Sequence, residues 1–501
     1  MIGWRVTRRG AALTVAGALF FCGLIVSGQA FAQRADVTIG VRLEPPHLDP
    51  TAGAAAAIGE ITYANIFEGL TRIDRNGAVA PGLAERWDVS DDGLTYTFHV
   101  RAGVSFHDGS PFDAGDARFS LERAIAADSV NPQKVLLEPI EKVEVVDAHT
   151  LKVTLKRPTP QLPFVLGLPA LAIVGEETAE NNRANPNGTG PFRFARWMKG
   201  DRIDLARNDR YWGHKPALSR ATFRVIDDPT AAYAALMAGN IDAYTNFPAP
   251  ESLPQFEADP RFDVVIGRTE GKTVLAINNA KKPLDDIRVR RAIAHAIDRK
   301  AIIDGALYGH GEPIGSHYAP QNPGYVDLTG RYPHDPEAAR ALLKEAGVSD
   351  LRLRLVLPPP SYARRAGEIV AGQLRDVGIA TDIVQVEWAQ WLTEVFRDKQ
   401  YDLSIVAHVE PNDLDIYARD DYYFNYHNAE YRALYAELSA EQDGEKRLAL
   451  LRRLQEKLAD DAVNGFLFLL PKIGVWDAKL HGLWENAPIP ANDLTEVRWE
   501  Y

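Results

Sequence analysis

The sequence predicts an α/β protein built from more than one lobe. Strand-like and helix-like segments alternate, most clearly through the C-terminal half. The chain of 501 residues also exceeds what one hydrophobic core holds. Alternation at this pace calls for right-handed crossovers onto a largely parallel sheet, whose carboxyl ends are the usual place for a ligand.

The first 32 residues read as a secretory signal peptide. Arg5, Arg8 and Arg9 precede the apolar block Ala11–Val26, and Ala30-Phe31-Ala32 forms a small-x-small cleavage signal. Cleavage near Ala32 and a periplasmic location are therefore expected. The apolar block is short for an uncleaved anchor. Residues 1–32 hold three arginines and no acid, so cleavage deepens the net charge of −12 by three. Such an acidic chain repels nucleic acid. Cys22 is the sole cysteine, so a mature chain has neither disulfides nor thiolate metal sites.

Residues 76–189 read as an inserted subdomain with mixed strands. Val89-Ser90-Asp91-Asp92-Gly93 forms a turn between short β-like runs, and Tyr96–Val100 alternates. Asp228-Pro229-Thr230 caps a helix over Ala231–Ala238. A longer helix is expected from Asp286 to Leu307, with Arg288, Arg290, Arg291 and Arg299 on a solvated face.

Asp335-Pro336-Glu337 starts the next helix, with an N-cap, a proline at the first helical position and an acid in the first turn. Gly347 stops it. Leu351–Leu357 reads as a strand, and a helix carrying Ala366, Ile369, Val370, Leu374 and Val377 ends at Gly378. Then come a strand Ile379–Val386, a helix Ala389–Asp398 and a strand Tyr401–Ala407. That last strand places His408 to Asp415 at the mouth of a site. A helix over Lys446–Leu458 and a buried strand Gly465–Leu470 follow.

Motifs for catalysis and cofactors are missing. There is no G-x-S-x-G elbow, no H-E-x-x-H pair and no phosphate-cradling glycine loop, so no catalytic residue, metal ligand or cofactor is assigned. A pair of distant carboxylates leaves no local motif. A secreted hydrolase acting on glycosides or peptides is therefore the second reading beside a binding protein.

Several phrases then occur in order: Ile66-Phe67-Glu68-Gly69-Leu70-Thr71, Pro81-Gly82-Leu83-Ala84-Glu85-Arg86-Trp87, Phe106-His107-Asp108-Gly109, Gly188-Thr189-Gly190-Pro191-Phe192 and Leu284-Asp285-Asp286-Ile287-Arg288-Val289-Arg290. Together they resemble the extracytoplasmic solute-binding proteins of the peptide/nickel ABC-transporter class, bacterial family 5. The resemblance implies a two-lobed periplasmic-binding-protein fold with discontinuous lobes and an extra mixed α/β subdomain. In this chain that means lobe I from 33–75, 190–271 and 474–501, the subdomain at 76–189, and lobe II at 272–473. It also implies a monomer with a hinge that closes on a small-molecule or peptide-like ligand, and an inner-membrane ABC permease as partner. Gly188 and Gly190 are expected to give tight backbone near the crossing between lobes, and His107 to be a turn residue.

The resemblance also implies where a ligand is held. Glu387-Trp388-Ala389-Gln390-Trp391 matches a helix start whose tryptophan flanks the ligand, so Trp388 is the candidate wall and Trp391 packs inward; the alternative makes both core residues. In Ala407-His408-Val409-Glu410-Pro411-Asn412-Asp413, His408 stands where the family usually has tryptophan. Glu410 or Asp413 then stands for the acid that binds a peptide amine, with Asn412 between them. These acids also suit the cap of a helix near Leu414, and both readings stay open. Glu44 and His47 lie on the N-terminal loop that runs beside the cleft, followed by Tyr63. Pro358-Pro359-Pro360-Ser361 lacks the arginine that clamps a dipeptide carboxylate, so longer peptides, conjugates, opines or cationic solutes come into consideration.

Overall fold

The computed structural model describes residues 34–500. The expected signal peptide and its cleavage site lie outside these residues. One sheet organises the molecule, and its ten main strands are numbered here in chain order: β1 Asp36–Val41, β2 Phe192–Met198, β3 Arg202–Arg207, β4 Arg220–Val225, β5 Ala243–Tyr244, β6 Phe262–Ile277, β7 Leu351–Leu357, β8 Ile379–Gln385, β9 Leu403–His408 and β10 Gly465–Asp477. They lie in the order β8-β7-β9-β6-β10-β5-β1-β4-β3-β2, with Glu312–Pro313 pairing onto β10 off this path.

The expected parallel arrangement holds for β7, β8 and β9. Leu351 pairs with Ile379 and Leu355 with Leu403, both in parallel register. The helix Ser361–Asp376 makes the crossover between β7 and β8. β9 then pairs antiparallel with β6, Lys272 opposite His408 and Ile277 opposite Leu403. β6 runs antiparallel to β10 from Phe262 opposite Asp477 to Leu275 opposite Gly465. These two long strands, of 16 and 13 residues, lie side by side in the middle of the sheet, between β9 and β5. A register shift between Arg268 and Lys272 interrupts their ladder, and an irregularity of this kind bends a strand locally.

A separate four-stranded antiparallel sheet is formed by Ala84–Val89, Thr95–Val100, Thr150–Leu155 and Ile140–Asp147, in that spatial order. Thr95–Val100 alternates half-buried and buried positions as a strand with one packed face should. The helix Ala114–Ile125 covers this sheet, opened by a capping box between Asp113 and Asp116.

Two expectations are corrected. The helix expected over Asp286–Leu307 is two helices, Ile287–Ala296 and Arg299–Leu307. Asp298 accepts a hydrogen bond from the Ala301 N–H and so caps a new start. The arginines there do not form a solvated face. Buried Arg290 donates to the carbonyls of Leu284, Asp285, Asp461 and Ala462, and Arg299 donates to Phe466 O at 2.7 Å. A five-donor guanidinium suits that role, stitching loop carbonyls that lie too deep for water.

Gly188 and Gly190 do sit in a tight place, but their neighbours belong to the segment after the helix Ala56–Thr62. A Cβ on Gly188 would lie 2.0 Å from Ile66 O, and one on Gly190 would lie 2.4 Å from Asn65 O. Gly188→Ala is expected to lower stability by about 1–3 kcal/mol, because backbone has to move to admit the methyl group. Urea denaturation of the variant against the parent protein measures it.

Candidate functional site

β9 ends at His408, and the loop after it crosses back over β6. On β6, Lys272 follows Arg268-Thr269-Glu270-Gly271 and precedes the buried run Thr273-Val274-Leu275-Ala276-Ile277. It is 1% exposed. Its Nζ donates to Glu410 O at 2.6 Å and lies 2.9 Å from Asp413 Oδ1 and 3.9 Å from Glu270 Oε2. One ammonium therefore holds both ends of the 410–413 loop. Asn412 takes a left-handed φ of +57°, which asparagine tolerates, and its Oδ1 lies 3.1 Å from the Tyr318 hydroxyl.

Asp413 is shared. His317 Nε2 is 3.0 Å from Asp413 Oδ2, and His317 Nδ1 is 3.1 Å from the Tyr417 hydroxyl. Burial works against charge on Asp413, but His317 and Lys272 beside it hold its carboxyl far below the usual range. Burial lowers His317 as well, so it is the neutral donor to an ionised Asp413. His408 packs edge-on against His317 at 5.0 Å between ring centres, and its Nε2 is 2.9 Å from the Tyr423 hydroxyl. Burial, with His317 adding to it, pushes His408 down to about 3. Glu270 is buried and raised by that burial; it accepts hydrogen bonds from Gln321 Nε2 at 2.9 Å and Asn322 Nδ2 at 3.0 Å.

The donor atoms of His317, His408 and Asp413 all lie within 4.8 Å of one another, a set of the type that binds divalent metals. Each is already occupied. Tyr417, Tyr422 and Tyr423 face the remaining imidazole nitrogens, at 3.1, 3.5 and 2.9 Å, and the Lys272 ammonium rests on Asp413. The arrangement is a closed polar nest that fixes the loop.

The loop turns Glu410 outward. Its side chain is exposed, and no ion pair to its carboxylate is found among the described residues. The alternative cap role fails for Asp413: Leu414–Tyr417 is a short 3-10 turn that receives no side-chain cap, because the Asp413 carboxylate faces Lys272 and His317. Asp415 pairs instead with Arg419.

Trp388 begins the short helix Trp388–Trp391 and packs edge-on against Trp391 at 5.6 Å. Trp391 is buried, its Nε1 donating to Ser404 Oγ at 2.9 Å. The helix expected through Asp398 becomes a π-helix over Leu392–Arg397, a rare form often found beside functional sites. Four apolar side chains stay open here: Trp388 (42% exposed), Leu392 (51%), Phe396 (42%) and Val409 (53%). Phe396 also reaches Tyr422 at 5.6 Å, and Tyr422 is pushed up by burial and by the charges of Asp413 and Glu410. Val409 of this set directly precedes Glu410 in the chain.

The N-terminal candidates lie elsewhere. Glu44 Oε1 accepts from Trp197 Nε1 and from the Gly200 N–H, both at 2.9 Å. His47 lines a separate cavity. Tyr63 is buried in the core, and its hydroxyl accepts from the Ile73 N–H at 2.8 Å, so no polar atom is left over for a ligand. Lys272, Glu270 and His317 escaped the sequence reading. The position of Lys272 just before the apolar run Val274-Leu275-Ala276-Ile277 was a signal for the first, whereas nothing local marks His317 within Gly315-Ser316-His317-Tyr318.

The fold is shared with solved two-lobed periplasmic binding proteins. NikA from Brucella suis, in complex with Fe(III)-EDTA, superposes with TM-score 0.84 at 23% identity, covering 93% of this chain and 100% of that one. DppA from Helicobacter pylori, in complex with the peptide STSA, gives 0.78 at 24%, covering 94% and 99%. Residues 78–430 match the model of the bacterial extracellular solute-binding proteins, family 5 Middle. The chain belongs to that family. Among its relatives, the dipeptide-binding protein of Escherichia coli (strain K12) is 35% identical over 63% of this chain and 64% of its own length. The glutathione-binding protein GsiB of Salmonella paratyphi A is 31% identical over 74% of each.

Two outcomes follow from the nest. Lys272→Met is expected to lose about 3–5 kcal/mol, the cost of stranding a buried carboxylate, read by denaturant unfolding at pH 7. His408 binds its proton more weakly folded than unfolded, so its contribution is complete above about pH 6.5 and shrinks as pH falls toward about 3. Stability of His408→Gln is therefore expected to fall less steeply than that of the parent between pH 6.5 and 4, measured as unfolding free energy against pH.

Proposed function

We propose that this protein is the periplasmic solute-binding component of an ABC importer. It captures a peptide or a peptide-like, aminated solute beyond the carboxyl end of β9 and hands it to an inner-membrane permease. The observation that carries this reading is Glu410, an exposed carboxylate without an ion pair among the described residues, beside an open apolar stripe. A ligand ammonium satisfies such a carboxylate through charge-assisted hydrogen bonds, which strengthen once a closing cleft expels water. An apolar ligand body covers Trp388, Leu392, Phe396 and Val409. Asp413 does not serve as the amine site, because Lys272 already neutralises it.

Closure is a hinge motion about β6 and β10, with lobe I at 33–75, 190–271 and 474–501 and lobe II at 272–473. A ligand bonded to both sides favours the closed state by its extra contacts there. Names among the relatives support a peptide or peptide conjugate, since they include dipeptide-binding and glutathione-binding proteins. The signal peptide delivers a monomer to the periplasm, where it binds solute without turning it over.

Native mass spectrometry of protein purified without denaturation is expected to show a stoichiometric small solute carrying an amine. Glu410→Ala and Trp388→Ala should each weaken its rebinding at least tenfold in calorimetric titration. Unchanged affinity in both variants refutes the site. Release of hydrolysed product in place of an intact solute identifies a hydrolase.

A further inference from the structure

We infer that the N-terminal lobe carries a second binding site, for a small organic carboxylate, in the cavity beside the β2–β3 turn. The cavity measures about 660 Å³, within the roughly 300–1,000 Å³ of small-molecule sites. His47, Arg183, Phe194, Arg196, Trp197 and Lys199 line it. No lining residue comes from beyond position 199, so the site is complete without the C-terminal lobe. β2 is the edge strand, seven positions from β9 in the sheet, which separates this cavity from the Glu410 loop. β2 runs parallel to β1 by way of β3 and β4, so the cavity also sits beyond strand carboxyl ends.

The charge is what selects an anion. Arg183 and Lys199 have no ion pair among the described residues, in a chain whose net charge is −12. Both act on the same group, since each lowers the His47 proton affinity alongside burial. Of the carboxylates nearby, Asp204 pairs with Arg196, Glu44 accepts from the Trp197 indole and the Gly200 N–H, and Asp49, which raises His47, and the exposed Glu180 each lie 3.7 Å from Arg123. Glu44 thereby fixes the Trp197 ring, and Lys199 Nζ lies 3.0 Å from its centroid. The cavity thus joins two cations without acidic partners to rigid aromatic walls at Phe194 and Trp197. A guanidinium grips a carboxylate in two-point fashion, while flat apolar walls accept a ring or chain.

The test is titration of the whole mature protein with benzoate, benzamide and inorganic phosphate, followed by Trp fluorescence and calorimetry. Saturable benzoate binding is expected, at least tenfold tighter than benzamide, which lacks the charge, and than phosphate, which lacks the apolar body. Arg183→Ala, Lys199→Ala and Trp197→Leu should each weaken benzoate about tenfold, with melting transitions confirming folded variants. Glu410→Ala should leave benzoate affinity unchanged, which keeps this site independent of the one proposed above. No saturable benzoate binding, equal affinity for phosphate, or indifference to Arg183→Ala and Lys199→Ala overturns the inference. So does loss of benzoate binding in Glu410→Ala, which would assign the anion to the other site.

Discussion

The Lys272 ammonium is the constraint on which the candidate site rests. A buried lysine is tolerated only when a counter-charge and hydrogen-bond acceptors surround it. Here the acceptors are the two ends of one loop, Glu410 O and the Asp413 carboxylate. Because β6 is held between β9 and β10 in the sheet, the loop is tied to a strand paired on both sides. The side chain that would otherwise be an obvious recognition acid, Asp413, is thereby used internally. Its neighbour Glu410 is left facing out.

The same logic runs through the other buried charges. Arg290 reaches loop carbonyls, Glu270 takes two side-chain amides, and Lys472 on β10 donates to Trp484 O. Burial lowers Lys472 to about 8, opposed by the charge of Glu60. Glu270 and Lys272 on β6 and Lys472 on β10 place three buried ionisable groups on two adjacent strands. Glycines finish the job where backbones meet. A Cβ on Gly267 of β6 would lie 1.8 Å from Glu485 O, so no side chain fits there.

The periodic parts of the chain were readable in advance. β7 matches its expected bounds of Leu351–Leu357. The Asp335 cap and the stop at Gly347, with φ of +69°, also stand where the sequence placed them. These features are local: a cap needs one side chain and a few N–H groups, and an apolar stripe needs only its spacing. The helix after Trp388 was expected to be regular and is a π-helix instead. The inward packing of Trp391, its contact with Ser404 and the contacts of Phe396 with Tyr422 and Tyr423 are all long-range in origin.

Sequence by itself determined the class of fold and the family, because spacing, caps and phrase order survive without any tertiary contact. Only the tertiary structure decided how the acids of the 408–415 loop divide their contacts. His317, Lys272 and Asp413 are separated by 45 to 141 positions in the chain, and the Asp413 carboxylate meets the other two, at 3.0 and 2.9 Å, only once the chain has folded. Charge-pair energies depend on distance and burial, and neither is written in the order of residues.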